Sequence, residues 1–147
     1  MGRGRPKGAR GSSLLRVLSA RDLEPERPEQ SRRMPCPGLW KTPVIRWDGE
    51  LMACCADDVD GEISVGNLAD HDFEDLWFGP QMTEYRLLHI AGRFEEIPKC
   101  WSCGGINFYK MSPAEIRQWL EDNGHLELWS VYVERMGLDP NDDFSCG

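Results

Sequence analysis

The sequence predicts an α+β fold. A small β-hairpin and several helices gather around a cysteine-rich site, with a disordered N-terminal arm and C-terminal helices. Three observations carry this. The chain has 147 residues, the size of one ordinary domain. An Asp-Gly pair divides two short apolar runs, and Gly- and Pro-punctuated helical patterns follow it. Six cysteines and six tryptophans are spread through the short chain, a count that calls for either disulfides or a metal.

Charge divides the chain unevenly. Residues 1–33 hold nine Lys/Arg against four Asp/Glu, a local net charge of +5, although the whole chain carries −8. This segment is rich in Gly, Pro, Ser and Arg, and it cannot bury enough apolar surface to offset chain entropy. It reads as a disordered basic arm. Its one apolar stretch, Leu14–Leu18, is interrupted by Arg16, so it is too short for a secretory core of about 7–15 apolar residues. No run of about 18 apolar residues exists, so no membrane span is expected. These readings place the chain in the cytoplasm, where clustered cysteines hold metal more often than disulfides.

Arg3-Gly4-Arg5-Pro6-Lys7 resembles an AT-hook, whose arginines would enter a narrow, electronegative minor groove. It is one short copy in a biased segment, and the acidic remainder of the chain disfavours a nucleic-acid partner.

The folded part begins near Met34. Val44–Trp47 and Glu50–Cys54 read as hairpin strands, with Asp48-Gly49 as a type I′ turn. Asp57–Gly61 is a polar turn. Its three aspartates lack the later Glu of a calcium loop. Glu62–Leu68 is a further strand. Asp72 caps a helix with Phe73, Leu76 and Trp77 on one face, and Gly79-Pro80 interrupts it. The next helix runs to about Ala91, with Met82, Tyr85, Leu88 and Ile90 roughly on one side and Gly92 as its stop. Ser112-Pro113-Ala114-Glu115 is a capping box whose helix buries Ile116, Trp119 and Leu120 and ends at Asn123-Gly124. His125–Met136 is helical and stops at Gly137, although Leu126 and Leu128 also fit a strand.

The chemistry lies in Cys36, Cys54, Cys55, Cys100, Cys103 and Cys146. Cys100-Trp101-Ser102-Cys103 brings two thiolates to one centre from a single turn. A hairpin returns on itself, so Cys36 and Cys54 can reach the same end of it. Four thiolates suit zinc or an iron–sulfur cluster. Structural zinc usually takes two short Cys pairs, and only one pair here is short, which favours a cluster and leaves zinc as the alternative. A thioredoxin-type redox pair lacks its βαβ surroundings. Trp40, Trp47, Trp77 and Trp101 serve either as a shield for the site or as core. His71, His89 and His125 are isolated and read as solvated or capping residues rather than ligands.

The series Cys36…Trp40, Ile45–Cys55, Val65-Gly66-Asn67-Leu68, Asp75-Leu76-Trp77, Tyr85-Arg86 and Cys100-Trp101-Ser102-Cys103 resembles the SPASM/twitch domain. This is an auxiliary iron–sulfur domain of radical S-adenosylmethionine (radical SAM) enzymes. The resemblance spans about residues 34–108 and leaves 109–147 as a C-terminal helical extension. The family's further Cys, six positions after the CxxC, is Tyr109 here, and the Pro and Trp that follow the first Cys are displaced. The resemblance therefore implies one 4Fe–4S cluster ligated by Cys36, Cys54, Cys100 and Cys103. Cys55 would pack as a small hydrophobe and Cys146 would stay free. The implied role is electron transfer or support of a substrate site. The implied partners are a radical SAM core protein or domain and a peptide or protein substrate. No CxxxCxxC loop is present, so the chain is not expected to cleave SAM alone; it reads as an accessory module or a C-terminal fragment.

Overall fold

The computed structural model describes residues 33–55, 61–103, 110–142 and 144. The first element among the described residues is a short helix, α1 (Gly38–Lys41), with Pro37 between it and Cys36. Three strands follow, β1 (Val44–Ile45), β2 (Glu50–Met52) and β3 (Ser64–Asn67), in one antiparallel sheet of order β1-β2-β3. Then come α2 (Phe73–Trp77), α3 (Pro80–Ala91), α4 (Pro113–Asp122) and α5 (Trp129–Met136). Single 3-10 turns at Phe94–Glu96 and Leu126–Leu128 precede the CxxC and α5 respectively. The α+β class is as expected. Among the described residues no helix is long and apolar enough to cross a membrane.

The hairpin forms where Asp48-Gly49 places it, but the turn is of another kind. Val44 pairs with Met52 and Ile45 with Leu51. The Arg46 N–H donates to the Glu50 carbonyl at 2.9 Å, and the Gly49 N–H to the Arg46 carbonyl at 3.0 Å. Trp47-Asp48-Gly49 is therefore a three-residue loop. Such a loop needs a left-handed residue only at its third position, and Gly49 supplies it with φ +85° while Asp48 keeps a negative φ. A type I′ turn would have required both. The longer loop also removes Trp47 from the strand, leaving it 93% exposed at the tip.

Asn67 explains the Gly-Asn-Leu sequence. Its Nδ2 donates to the Asp48 carbonyl at 3.0 Å, and its Oδ1 accepts the Ala69 N–H at 2.9 Å. One side chain thus ties the hairpin loop to the end of β3. Gly66 beside it has φ +144°, and a Cβ there would stand 2.6 Å from Leu76 Cδ2. The missing side chain lets α2 lie directly on the sheet.

Two cores share α3. The first joins Leu39, Leu51, Ala53, Ile63, Val65, Trp77, Met82, Leu88, Phe94 and Ile97 with Cys54 and Cys100. The second joins Leu87, Ile90 and Ala91 with Met111, Ile116, Leu120, Leu128 and Tyr132 of the C-terminal helices. The later half of α3 is consequently buried nearly all round, rather than on one face. Gly92 ends it in the left-handed conformation (φ +82°), as the sequence predicts. The Ser112–Glu115 capping box is also formed, with Glu115 N–H donating to Ser112 Oγ and Ser112 N–H to Glu115 Oε2. Asp72 stands at the N-cap of α2 without a side-chain capping bond.

Buried arginines fasten these layers. Arg86 is 2% exposed, donates from Nε to the Leu39 carbonyl at 2.8 Å and lies 5.1 Å from the Trp77 ring centroid. This joins α1 to α3. Burial lowers its pKa to about 10, still well above neutrality, so it stays charged.

Candidate functional site

The sequence-derived cysteines fall on three segments. Cys36 precedes α1, Cys54 follows β2, and Cys100 ends the turn after α3. All three are buried, while Cys103 is half-buried. Two backbone features aim them inward. The Ala53 N–H donates to the Ile63 carbonyl at 3.1 Å, which continues the sheet pairing up to Cys54. Lys99 takes a left-handed φ of +68°, and the turn closes when the Cys100 N–H donates to the Ile97 carbonyl at 3.1 Å.

The thiols influence one another. The Cys100 thiol is pushed up to about 12, first by burial, with Cys54, Cys36 and Cys103 adding to the shift and Arg33 opposing it. Adding negative charge to Cys100 is costly because three other sulfurs stand within electrostatic range. Even so, among the described residues no three His, Cys, Asp or Glu side chains converge closely enough to hold a single metal ion. Cys36, Cys54 and Cys103 lie within electrostatic range of Cys100 but form no single-ion cage with it among the described residues. A single zinc needs Zn–S of about 2.3 Å, which crowds its sulfurs to within about 4 Å of one another. The larger body of a cluster sets its thiolates further apart.

Sequence reasoning missed His89. Isolated on a helical segment, it read as solvated or capping; it is instead 0% exposed. Its Nδ1 accepts the backbone N–H of Cys36 at 3.1 Å, and its Nε2 lies 3.3 Å from Cys100 Sγ. The Phe94 ring meets it edge-on at 4.8 Å between centroids. Burial, with Arg33 and Arg135 nearby, lowers its pKa to about 3, so the ring is neutral. The only available signal was its place one turn from the end of α3, eleven residues before Cys100.

Two arginines close this region. Arg33 Nη1 donates to the Cys100 carbonyl at 2.5 Å, and its guanidinium lies 4.4 Å from the Phe94 centroid. Arg135 of α5 donates to the carbonyls of Ile90, Arg33 and His89.

Residues 36–104 match the SPASM family model. That family is an iron-sulfur cluster-binding domain, and the match covers just under half of the chain. No curated protein and no solved structure matches the chain. The SPASM segment starts at Cys36 and ends just past Cys103, so both outer cysteines lie at its borders. Its Gly-Asn and Leu-Trp sequences are the ones seen above holding hairpin, β3 and α2 together.

Other expectations are corrected. Cys55 is exposed and does not pack as a small hydrophobe, because β2 ends at Met52 and the strand alternation stops before it. Trp47 and Trp101 are exposed; Trp77 is core and Trp40 is half-buried against that core. His71 is exposed beside Asp70 and Asp72 on the surface, and His125 Nδ1 stands 3.6 Å from Glu127 Oε1. The AT-hook-like Arg3–Lys7, the Asp57–Asp60 turn, Tyr109 and Cys146 lie outside the described residues.

Proposed function

We propose that the chain is an auxiliary iron–sulfur module in which Cys36, Cys54, Cys100 and Cys103 hold one 4Fe–4S cluster. What supports this reading is the gathering of four cysteines, three of them buried, inside the segment that matches the SPASM family. The hairpin delivers Cys54, the turn after α3 delivers Cys100 and Cys103, and α1 anchored by Arg86 delivers Cys36. Burial excludes water from three of the four sulfurs, which protects them from competing ligands and oxidation.

When bound and capped by four thiolates, such a cluster supplies one-electron transfer and offers no open iron to a substrate. Its partner is then a radical SAM core protein or domain, acting on a peptide or protein substrate, in the cytoplasm where thiols stay reduced. The chain's net charge of −8 repels nucleic acid and membrane-surface phosphates.

The test is the iron, zinc and acid-labile sulfide content of anaerobically produced protein, read with electron paramagnetic resonance after dithionite reduction. About four irons and four sulfides per chain with a reduced-cluster signal are expected. One zinc and no sulfide would make the chain a zinc-stapled interaction domain instead.

A further inference from the structure

The histidine buried between two of the cysteines has one defined protonation pattern. Cys36 presents a backbone N–H, which can only donate, so His89 Nδ1 must hold a lone pair. A neutral imidazole with Nδ1 as acceptor carries its one proton on Nε2. That nitrogen is the one 3.3 Å from Cys100 Sγ, within range of an N–H···S hydrogen bond. The ring cannot easily swing away. Phe94 abuts it edge-on, and Arg135 holds the His89 carbonyl at 3.4 Å from Nη2.

We infer that His89 is a positioning residue for the cluster site: its Nε2–H donates to the Cys100 sulfur and raises the reduction potential of the cluster that sulfur binds. This rests on the cluster reading above. One-electron reduction adds a negative charge shared between iron and thiolates, and a fixed N–H aimed at one thiolate stabilises that state more than the oxidised one. Arg33, which donates to the Cys100 carbonyl, adds positive charge on the same side. Both oppose the chain's overall acidity, which by itself would lower the potential. The same imidazole anchors the backbone of Cys36, so one side chain ties together two cysteines 64 positions apart.

The experiment is a spectroelectrochemical titration of the full chain, reconstituted anaerobically, as wild type, His89→Phe and His89→Gln. Iron and sulfide are assayed first in each. With equal iron, His89→Phe should lower the reduced-to-oxidised ratio at a fixed solution potential about tenfold, or about 59 mV for a one-electron couple. His89→Gln, whose amide can still donate, should recover part of that loss. An unmoved potential in a fully loaded His89→Phe protein overturns the inference and leaves the cluster reading intact. A wild type that binds no iron overturns that reading and this inference with it. Should His89→Phe fail to load, pulsed electron paramagnetic resonance of reduced wild type labelled with 15N-histidine decides. A weak coupling to one imidazole nitrogen, transmitted through sulfur, is expected; no coupling, or the strong coupling of a direct iron ligand, overturns it.

Discussion

Arg135 Nε donates to the Ile90 carbonyl at 3.0 Å, joining α5 to the last turn of α3. Helix ends leave carbonyls without intrahelical partners, and here a side chain from 45 residues downstream donates to the Ile90 carbonyl and also reaches the His89 carbonyl, which already accepts the Gly92 N–H. The C-terminal helices thereby brace the turn that leads to Cys100. Gly92 makes this contact feasible, because a Cβ there would lie 2.6 Å from Arg135 Cδ.

Arg135→Met should therefore cost about 3 kcal/mol, since it strands the Ile90 carbonyl as well as removing further hydrogen bonds. Arg135→Lys should recover little, because one ammonium cannot reproduce the planar fork that reaches several carbonyls. Urea unfolding of the three proteins, compared by midpoint at constant slope, measures both effects.

The capping box carries a pH dependence. Glu115 is drawn down from the ordinary 4.5 to about 2, chiefly by the hydrogen bond from Lys41 Nζ at 2.7 Å and next by the Ser112 N–H. A carboxylate with a depressed folded-state pKa contributes stability that is fully present above about pH 4.5 and lost as pH falls towards about 2. The pair is partly exposed and screened, so Glu115→Gln should cost no more than about 1 kcal/mol at neutral pH. The gap between wild type and variant should narrow across that acid range; a gap that stays constant down to pH 2 would contradict the assignment.

Gly66→Ala should destabilise the sheet–α2 contact by roughly 1–3 kcal/mol, through the close approach to Leu76 and the positive φ. Adding Leu76→Ala removes the collision but not the backbone strain. The double variant should therefore be more stable than the sum of the singles implies, and a double-mutant cycle from thermal unfolding reads that coupling.

Neighbouring cysteines should behave differently. Cys54→Ser and Cys100→Ser should abolish iron retention after gel filtration, because each removes a buried thiol of the site. Cys55→Ser should keep the full iron complement, since that side chain faces solvent. Loss of iron from Cys55→Ser with retention in Cys54→Ser would reverse the assignment within the doublet.

Much of this was legible because it is local. Asp48-Gly49 implies a hairpin whatever surrounds it, Gly92 and Gly137 are helix stops by their backbone freedom, and Ser112 with Glu115 closes a capping box within four residues. The ordered series of Cys, Gly-Asn-Leu, Leu-Trp and CxxC likewise carries the likeness to the SPASM family without coordinates. The details that failed depend on one residue more or less of strand. The hairpin loop took three residues instead of two and put Trp47 in solvent, and the end of β2 at Met52 exposed Cys55.

Sequence by itself determined which thiols to consider and which segments present them, because residue spacing and turn chemistry act over a few residues. Only the tertiary structure decided the surroundings of those thiols. His89, Arg33 and Arg135 reach Cys100 or its turn from elsewhere in the chain, and His89 and Arg135 are buried where they do so. No periodicity in the sequence marks such partners, since burial at long range follows from how helices and sheet pack and from nothing that neighbouring residues specify.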